Sequence, residues 1–335
     1  MFGSPLIVAP MAGGTSTPAL VRAAAGAGTL GFLAAGYLAV DALAAQIAAV
    51  RGTGPFGVNV FVPQPGDGGV PAGLDAYRTV LEAEALAYGT PLPALPDRLD
   101  DGWQEKLELL CADPVPYASF TFGLAPREVV RRLQRAGTVV LASVTSPAEA
   151  LAAQESGVDA LVVQHANAGA HTAAFLPAPA GAGFASVAEL VAAVAAVSNL
   201  LLVGTGGIGD GAAARAVLAA GAQAVQLGTA LLRTPESGAR ELHKAALADP
   251  LFTGTALTRA FTGKPARALV NRFVREHSEQ APDAYPHVHF LTSGIRAAAA
   301  AAGDAQALNL WAGTAWRQAE ALPASEVLAG FLAGL

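Results

Sequence analysis

Residues 200–230 read LLLVGTGGIGDGAAARAVLAAGAQAVQLGTA. Two short apolar runs, at 200–203 and 224–227, are each followed by a turn that contains glycine, and an alanine-rich helical segment at 210–220 lies between them. This order of strand, helix and strand is typical of a parallel α/β unit, whose strands are buried on both faces. The stretch therefore predicts two neighbouring parallel strands with glycine at their carboxyl ends.

The same alternation extends back to the start of the chain. It predicts eight strands, at residues 6–10, 29–35, 56–62, 117–122, 138–144, 160–165, 200–203 and 224–227. Each is followed by a helix or a segment that contains one, which indicates the α/β class and a closed (β/α)8 TIM barrel. An open doubly wound sheet is the alternative. It would need a GxGxxG turn after the first strand, and residues 12–15, AGGT, do not have that spacing.

Two segments depart from the alternation. Residues 63–113, which include the glycine-rich run 66–69 and helices at 74–88 and 102–110, are interpreted as an insertion after strand 3 that covers one end of the barrel. Residues 233–335 are interpreted as a C-terminal helical addition that packs on the barrel core of residues 1–232. This addition could contribute to the active site, to a homodimer contact, or to both.

Composition excludes several function classes. Of the 335 residues, 53% are hydrophobic and 14% are charged, yet no stretch of about 18 apolar residues free of Gly, Pro and charge occurs. No membrane span and no leader is expected, and we expect a cytoplasmic protein. The net charge of −6, with no basic run, argues against nucleic acid as a partner. The single Cys111 excludes an intrachain disulfide framework and a cysteine-based zinc cluster.

Glycine turns end the last two predicted strands, at 204–208 (GTGGI) and 226–229 (QLGT). In a barrel these positions commonly bind phosphate, because glycine lets backbone N–H groups approach the anion closely. None of the three lysines, at 106, 244 and 264, falls on these strand ends. Backbone amides are therefore predicted to carry most of the phosphate binding.

Polar side chains near the predicted strand ends suggest a ring-shaped ligand. Asn59, Gln164 and Gln226 could supply the donors and acceptors that the pyrimidine edge of a flavin needs. His171, just past strand six and flanked by small residues, is the candidate base, whereas His165 could be a satisfied core residue. His287 and His289 are two residues apart, a spacing that metal ligands can have. No carboxylate at a matching spacing accompanies them, so no metal is expected.

Five motifs, taken in order, carry a family resemblance over nearly the whole chain: APMAGG at 9–14, GVNVF at 57–61, QHANAGAH at 164–171, the glycine turns at 206–208 and 226–229, and LNLWAG at 308–313. Together they resemble the nitronate monooxygenase family, formerly called 2-nitropropane dioxygenases, and particularly its class I branch.

The resemblance implies a cofactor, a site and a reaction. It implies FMN as the cofactor and His171 as the catalytic histidine, with oxidation of an alkyl nitronate by O2 to a carbonyl compound and nitrite through a flavin semiquinone. The substrate would be a small molecule. The FMN contacts implied are Pro10, Met11, Asn59, Gln164, Gly169, Gly206, Gly207, Gln226, Leu227, Gly228 and Thr229.

The chain departs from the family pattern just before His171. Where the family usually has Glu-Ala-Gly-Gly-His, this chain has Asn167 and Ala170 in place of the glutamate and the second glycine. Ala170 requires a backbone conformation that accepts a Cβ atom, and Asn167 removes a carboxylate that could raise the pKa of His171. Two alternatives therefore stay open: an FMN-dependent NAD(P)H oxidoreductase of the quinone or enoyl-ACP reductase type, and a flavin-binding protein without turnover.

Overall fold

The computed structural model of the chain describes residues 2–63, 70–177 and 183–335. The predicted glycine-rich run 66–69 lies outside these residues. The strands of the described ranges are β1 (Leu6–Val8), β2 (Leu30–Ala34), β3 (Phe56–Phe61), β4 (Tyr117–Thr121), β5 (Val139–Val144), β6 (Ala160–Gln164), β7 (Ala170–His171), β8 (Leu201–Thr205), β9 (Ala224–Leu227), β10 (Thr255–Thr258) and β11 (Ala266–Leu269).

A closed barrel forms the centre of the described chain. Its parallel strands follow the order β1-β2-β3-β4-β5-β6-β8-β9, and β9 pairs with β1 to close the ring. All eight predicted strands are present, so the predicted TIM barrel is confirmed. β8 runs to Thr205, two residues further than its apolar run suggested, because small residues still fit the ladder beside β6 and β9.

Helices surround the barrel and extend beyond it. Those in the described ranges are α1 (Pro18–Gly26), α2 (Val40–Val50), α3 (Leu74–Ala87), α4 (Trp103–Ala112), α5 (Arg127–Arg135), α6 (Pro147–Ser156), α7 (Val187–Ala195), α8 (Gly211–Ala219), α9 (Glu241–Ala246), α10 (Arg272–His277), α11 (His287–Ala301) and α12 (Ala324–Ala333). α1 and α6 both begin at a side-chain cap. Thr17 and Ser146 accept hydrogen bonds from the first turn, and a proline follows each cap.

A second hydrophobic core lies outside the barrel, where the insertion meets the C-terminal segment. Leu74, Tyr77 and Leu81 of α3 pack with residues of the C-terminal segment such as Val288 and Leu291 of α11. Arg272 of α10 reinforces this contact through an ion pair to Glu84 of α3. The insertion and the C-terminal segment therefore pack against each other, and this packed pair is called the cover.

The C-terminal segment is not wholly helical, which corrects the sequence-based expectation. It contains the antiparallel pair β10 and β11, and β11 also pairs with β7, so that Ala266 lies opposite His171. The pairing holds the loop after β6 against the C-terminal segment. No helix among the described residues has both the length and the apolar character that a membrane crossing requires.

Candidate active site

A cavity of about 390 Å³ opens at the carboxyl ends of the barrel strands, beneath the cover. His171 and all but one of the residues predicted to contact a cofactor line it. The exception is Leu227, whose side chain is buried between the barrel and its helices. Strand register explains part of this convergence, because Gln164, Thr205 and Gln226 lie level across β6, β8 and β9.

The turn after β8 requires glycine at two consecutive positions. Gly206 and Gly207 have φ values of +112° and +74°, where side chains are rarely tolerated. A Cβ atom on Gly207 would also lie 2.8 Å from Cβ of Asn167. These glycines let the loops after β6 and β8 touch, and they keep the cavity floor made of backbone.

The floor presents unpaired backbone donors. The N–H groups of Gly207, Thr229 and Ala230 donate to no acceptor within the described part of the chain. The hydroxyl of Thr229 accepts a hydrogen bond of 3.0 Å from the N–H of Gly313, which fixes the C-terminal segment to the turn after β9. Clustered N–H groups of this kind attract an anion such as a phosphate.

Two amide side chains complete the floor. The Nδ2 group of Asn59 donates to both Ser119 and Thr121, which leaves its Oδ1 atom without a donor among the described residues. Gln226 is 7% exposed, and its side-chain amide has no hydrogen-bond partner in the same part of the chain. Buried amides without partners are rare and mark places where a ligand supplies the missing bonds.

Gln164 holds the loop that carries His171. Its Nε2 atom donates to the carbonyl oxygen of His171 at 3.1 Å, and its Oε1 atom accepts from the N–H of Ala173 at 2.7 Å. Both ends of the amide therefore hold the loop that carries His171. Gln164 also lines the cavity, and each end of its amide can make one further hydrogen bond to a ligand.

His171 lies in an aromatic cage. Its ring centroid is 5.5 Å from that of Phe122, 5.7 Å from that of Tyr285 and 5.4 Å from that of Trp311. Burial, with smaller effects from the charges of Lys264 and Arg296, lowers the pKa of His171 to about 3. The imidazole is therefore neutral at physiological pH and can accept a proton or a hydrogen bond.

The residues before His171 do not surround its ring. Asn167 lies against Gly207 at the glycine turn, so the amide that replaces the family's glutamate supports this turn and does not line the cavity. Ala170 keeps the left-handed conformation of a glycine, with φ of +64°, although it carries a Cβ atom. The pairing of β7 with β11, in which Ala170 lies opposite Arg267, holds this conformation.

His165 is a satisfied structural residue. Its Nε2 atom donates to the carbonyl oxygen of Phe184 at 2.9 Å, and its Nδ1 atom accepts from the N–H of Asn167 at 3.2 Å. His165 does not line the cavity, whereas His243 and His289 do. The pKa of His243 is lowered to about 4 and that of His289 to about 2, mainly by burial, so both are neutral.

Several cavity residues were missed from the sequence. Tyr37 follows β2, while Thr262, Arg296 and Trp311 come from the C-terminal segment. Trp311 lies in the LNLWAG motif and could have been singled out on that ground. Nothing near the others in the sequence distinguishes them. Thr262 and Arg296 reach the cavity only through the packing of the cover, and Tyr37 lies in the loop after β2.

The barrel is parallel, and glycine turns with unpaired N–H groups lie at the ends of its last two strands. This architecture is typical of barrel enzymes that hold a phosphate-bearing ligand. Comparison with known proteins makes the class specific. The family model described as nitronate monooxygenase matches residues 1–334. The chain belongs to the nitronate monooxygenase family, and the predicted oxidoreductase of that family is confirmed. These enzymes use a flavin.

Individual relatives support the assignment to this family. A probable nitronate monooxygenase of Staphylococcus aureus strain Newman is 34% identical over 338 residues, which cover 98% of this chain and 93% of the relative. The solved structure of nitroalkane oxidase from Streptomyces ansochromogenes has a TM-score of 0.95 and 49% identity, covering 100% of this chain and 96% of that one. FabK from Thermotoga maritima, with a TM-score of 0.76, 24% identity and coverage of 99% and 93%, shares the fold.

Proposed function

We propose that this enzyme binds FMN and oxidises alkyl nitronates with O2, giving a carbonyl compound and nitrite. The observation that carries the proposal is the neutral imidazole of His171, caged beside a floor of unpaired backbone amides. The same imidazole can remove the α-proton of a neutral nitroalkane, which would extend the substrates to the class named for the Streptomyces relative.

The chain's residues fit FMN. The amides of Gly207, Thr229 and Ala230 would bind the phosphate, which is consistent with the absence of lysine from this floor. The free amide of Gln226 and the Oδ1 atom of Asn59 would bind the polar edge of the flavin ring. The remaining FMN contacts, from Pro10, Met11, Gln164, Gly169, Gly206, Leu227 and Gly228, would be made by backbone, by the remaining hydrogen-bonding capacity of the Gln164 amide or by close packing. When bound, FMN supplies the redox chemistry, accepting electrons from the substrate and passing them to O2.

The protein's own part is to hold the anionic substrate and to move a proton. Lys264 and Arg296 lower the pKa of His171, so the same positive charges favour a nitronate anion near its ring. For a nitroalkane, the C–H bond breaks, the proton passes to the imidazole and the electron pair moves into the nitro group. The aromatic cage of Phe122, Tyr285 and Trp311 excludes water from this step.

His171→Asn separates these roles. We expect the variant to lose about 10²- to 10⁴-fold in kcat/KM for a nitroalkane, because general-base catalysis is removed. It should retain more activity on the preformed nitronate, whose carbon is already deprotonated. The measurement is kcat/KM for nitroethane and ethyl nitronate, normalised to bound flavin. Wild-type activity on both substrates would remove His171 from the mechanism.

An NADH-dependent reductase is the second candidate, and FabK supports it by fold alone. Anaerobic mixing with NADH tests it, because a reductase would bleach the flavin rapidly. We expect slow bleaching by NADH and fast bleaching by ethyl nitronate.

A further inference from the structure

Two hydroxyl groups at the cavity end of the barrel have one proton more than the described part of the chain can accept. Thr121 ends β4, Ser143 is the last residue but one of β5, and both line the cavity. Their hydroxyl oxygens lie 3.1 Å apart, so one hydroxyl donates to the other. Each hydroxyl has a single proton, and neither has another acceptor among the described residues. One proton is therefore left for a group inside the cavity.

The amide of Asn59 decides the direction of the hydrogen bond between these hydroxyls. Its Nδ2 atom lies 3.2 Å from the carbonyl oxygen of Ser119 and 3.0 Å from Oγ1 of Thr121. A carbonyl oxygen can only accept, so the nitrogen of the amide, and not Oδ1, must face it. Thr121 therefore accepts a hydrogen bond from Asn59 and keeps its own proton for donation.

A hydroxyl that accepts a hydrogen bond becomes a stronger donor, because the bonds of a chain polarise one another. This favours donation from Thr121 to Ser143. The bonds then run in one direction across β3, β4 and β5, from Nδ2 of Asn59 through Thr121 to Ser143. The proton without an acceptor is consequently that of Ser143, a residue that is 7% exposed.

The resulting pattern of donors and acceptors suits the polar edge of a flavin ring. That edge has one N–H group with a carbonyl on each side of it. The Oδ1 atom of Asn59 is an acceptor that could bind the N–H group, and the hydroxyl of Ser143 is a donor that could bind a neighbouring carbonyl. Buried polar atoms without partners in the protein mark places where a ligand supplies the missing bonds.

We propose that Ser143 donates a hydrogen bond to a carbonyl oxygen of the bound flavin and thereby makes the flavin easier to reduce. The proposal rests on the proposed function for the presence of FMN. Reduction increases the negative charge on the carbonyl oxygens of the ring, so the same hydrogen bond is stronger to the reduced flavin than to the oxidised one. Ser143 is thus a cofactor contact, and Thr121 is a positioning residue that acts through it.

A redox titration of the flavin-loaded protein tests the proposal without turnover. Absorbance of the flavin, read against a reference dye, gives the midpoint potential of the two-electron reduction. We expect Ser143→Ala to make reduction about three- to tenfold less favourable, because one hydrogen bond to the reduced ring is lost. This change corresponds to a midpoint potential that is lower by about 15–30 mV.

Two further variants separate the donor from the residue that orients it. Ser143→Thr keeps a hydroxyl at the same place, and we expect it to keep the wild-type potential. Thr121→Val removes the link to Asn59 but leaves the proton of Ser143, so the potential should fall less than in Ser143→Ala. A larger fall in Thr121→Val would assign the free proton to Thr121 and overturn the role given to Ser143.

Thr138→Val is the matched control for the loss of a buried hydroxyl. Thr138 directly precedes β5, at the opposite end of that strand from Ser143, and its hydroxyl donates to the carbonyl oxygen of Val115 at 2.7 Å. We expect this variant to have a lower free energy of unfolding and an unchanged flavin potential. Equal shifts of the potential in Thr138→Val and Ser143→Ala would indicate a general effect of packing and would overturn the inference.

The titration also distinguishes failure of the inference from failure of the proposed function. Flavin-loaded Ser143→Ala with the wild-type potential would show that the hydroxyl does not bind the ring, and it would overturn the inference alone. A wild-type protein that binds flavin but does not oxidise nitronates would overturn the proposed reaction, and the potentials would still decide the role of Ser143. A wild-type protein that binds no flavin would overturn both.

Discussion

The Nε2 atom of His171 lies 2.9 Å from the hydroxyl oxygen of Thr262. That hydroxyl lies 3.2 Å from the carbonyl oxygen of Lys264, which can only accept a hydrogen bond. If the threonine proton is donated to Lys264, Thr262 must accept from Nε2–H of His171. We infer that the imidazole proton is held on Nε2 and that Nδ1, which has no partner in the described residues, is the basic atom.

Thr262→Val tests this orientation. Valine keeps the shape of threonine but cannot accept the Nε2–H bond, so the favoured tautomer is lost. We expect nitroalkane turnover to fall up to about tenfold, the value of one neutral hydrogen bond, and ethyl nitronate turnover to fall less. Thr262→Ser should restore the nitroalkane rate. Equal losses on both substrates, or no rescue by serine, would show that Thr262 has only a packing role.

Gly228 provides a clean test of the cofactor floor. A Cβ atom there would lie 3.7 Å from Cβ of Ala9 and 3.8 Å from Sδ of Met11, so the protein itself tolerates a side chain. Gly228→Asp should nevertheless abolish flavin retention, because the carboxylate would oppose the phosphate. Chromatography of the released flavin measures this and should identify FMN in the wild type. Gly228→Ala is the matched control and should retain more flavin than the aspartate variant. Equal retention in all three proteins would place the phosphate elsewhere.

Ala170 carries backbone strain that glycine would relieve. An L-residue in the left-handed region costs about 1–2 kcal/mol, offset in part by the entropy that glycine loses on folding. We expect Ala170→Gly to increase the free energy of unfolding by about 1 kcal/mol at most, with His171 chemistry preserved. Chemical denaturation measures the change in the free energy of unfolding. Destabilisation would indicate that the methyl group makes a necessary contact.

Acid should destabilise the enzyme through its neutral histidines. The pKa values of His171, His243 and His289 are lowered in the folded state from 6.5 to about 3, 4 and 2. As the pH falls, the unfolded chain therefore binds protons before the folded protein does. The contribution of the neutral histidines to the free energy of unfolding is fully present above pH 6.5 and is lost as the pH falls below it. At pH 5 each histidine would lower the free energy of unfolding by at most about 2 kcal/mol.

His243→Gln isolates one of these contributions. The Nε2 atom of His243 donates to the carbonyl oxygen of Trp311 at 3.0 Å, and a glutamine amide can replace that bond. We expect the variant to lose less unfolding free energy than the wild type between pH 7.5 and pH 5. If the free energy of unfolding falls equally steeply with pH in the two proteins, His243 does not contribute to the acid sensitivity.

The sequence predicts the barrel well because its strands are buried on both faces and therefore read as apolar runs. The glycine turns and Gln226 could be placed as well, since parallel strands bring their carboxyl ends together. β10 and β11 could not be predicted, because their sequences, TALT and ARAL, do not alternate between apolar and polar residues. These strands gain their stability by pairing, β10 with β11 and β11 with β7. Thr262 and Arg296 were missed for the same reason, since only the packing of the cover brings them to His171.

Oxygen consumption by the flavin-loaded enzyme tests the central claim most directly. Ethyl nitronate and NADH are supplied separately, and O2 uptake, nitrite release and flavin content are measured together. The account predicts rapid O2 uptake with ethyl nitronate, nitrite release that follows it, and little uptake with NADH. Absence of uptake with ethyl nitronate, together with rapid uptake or flavin bleaching with NADH, would contradict it and identify a reductase.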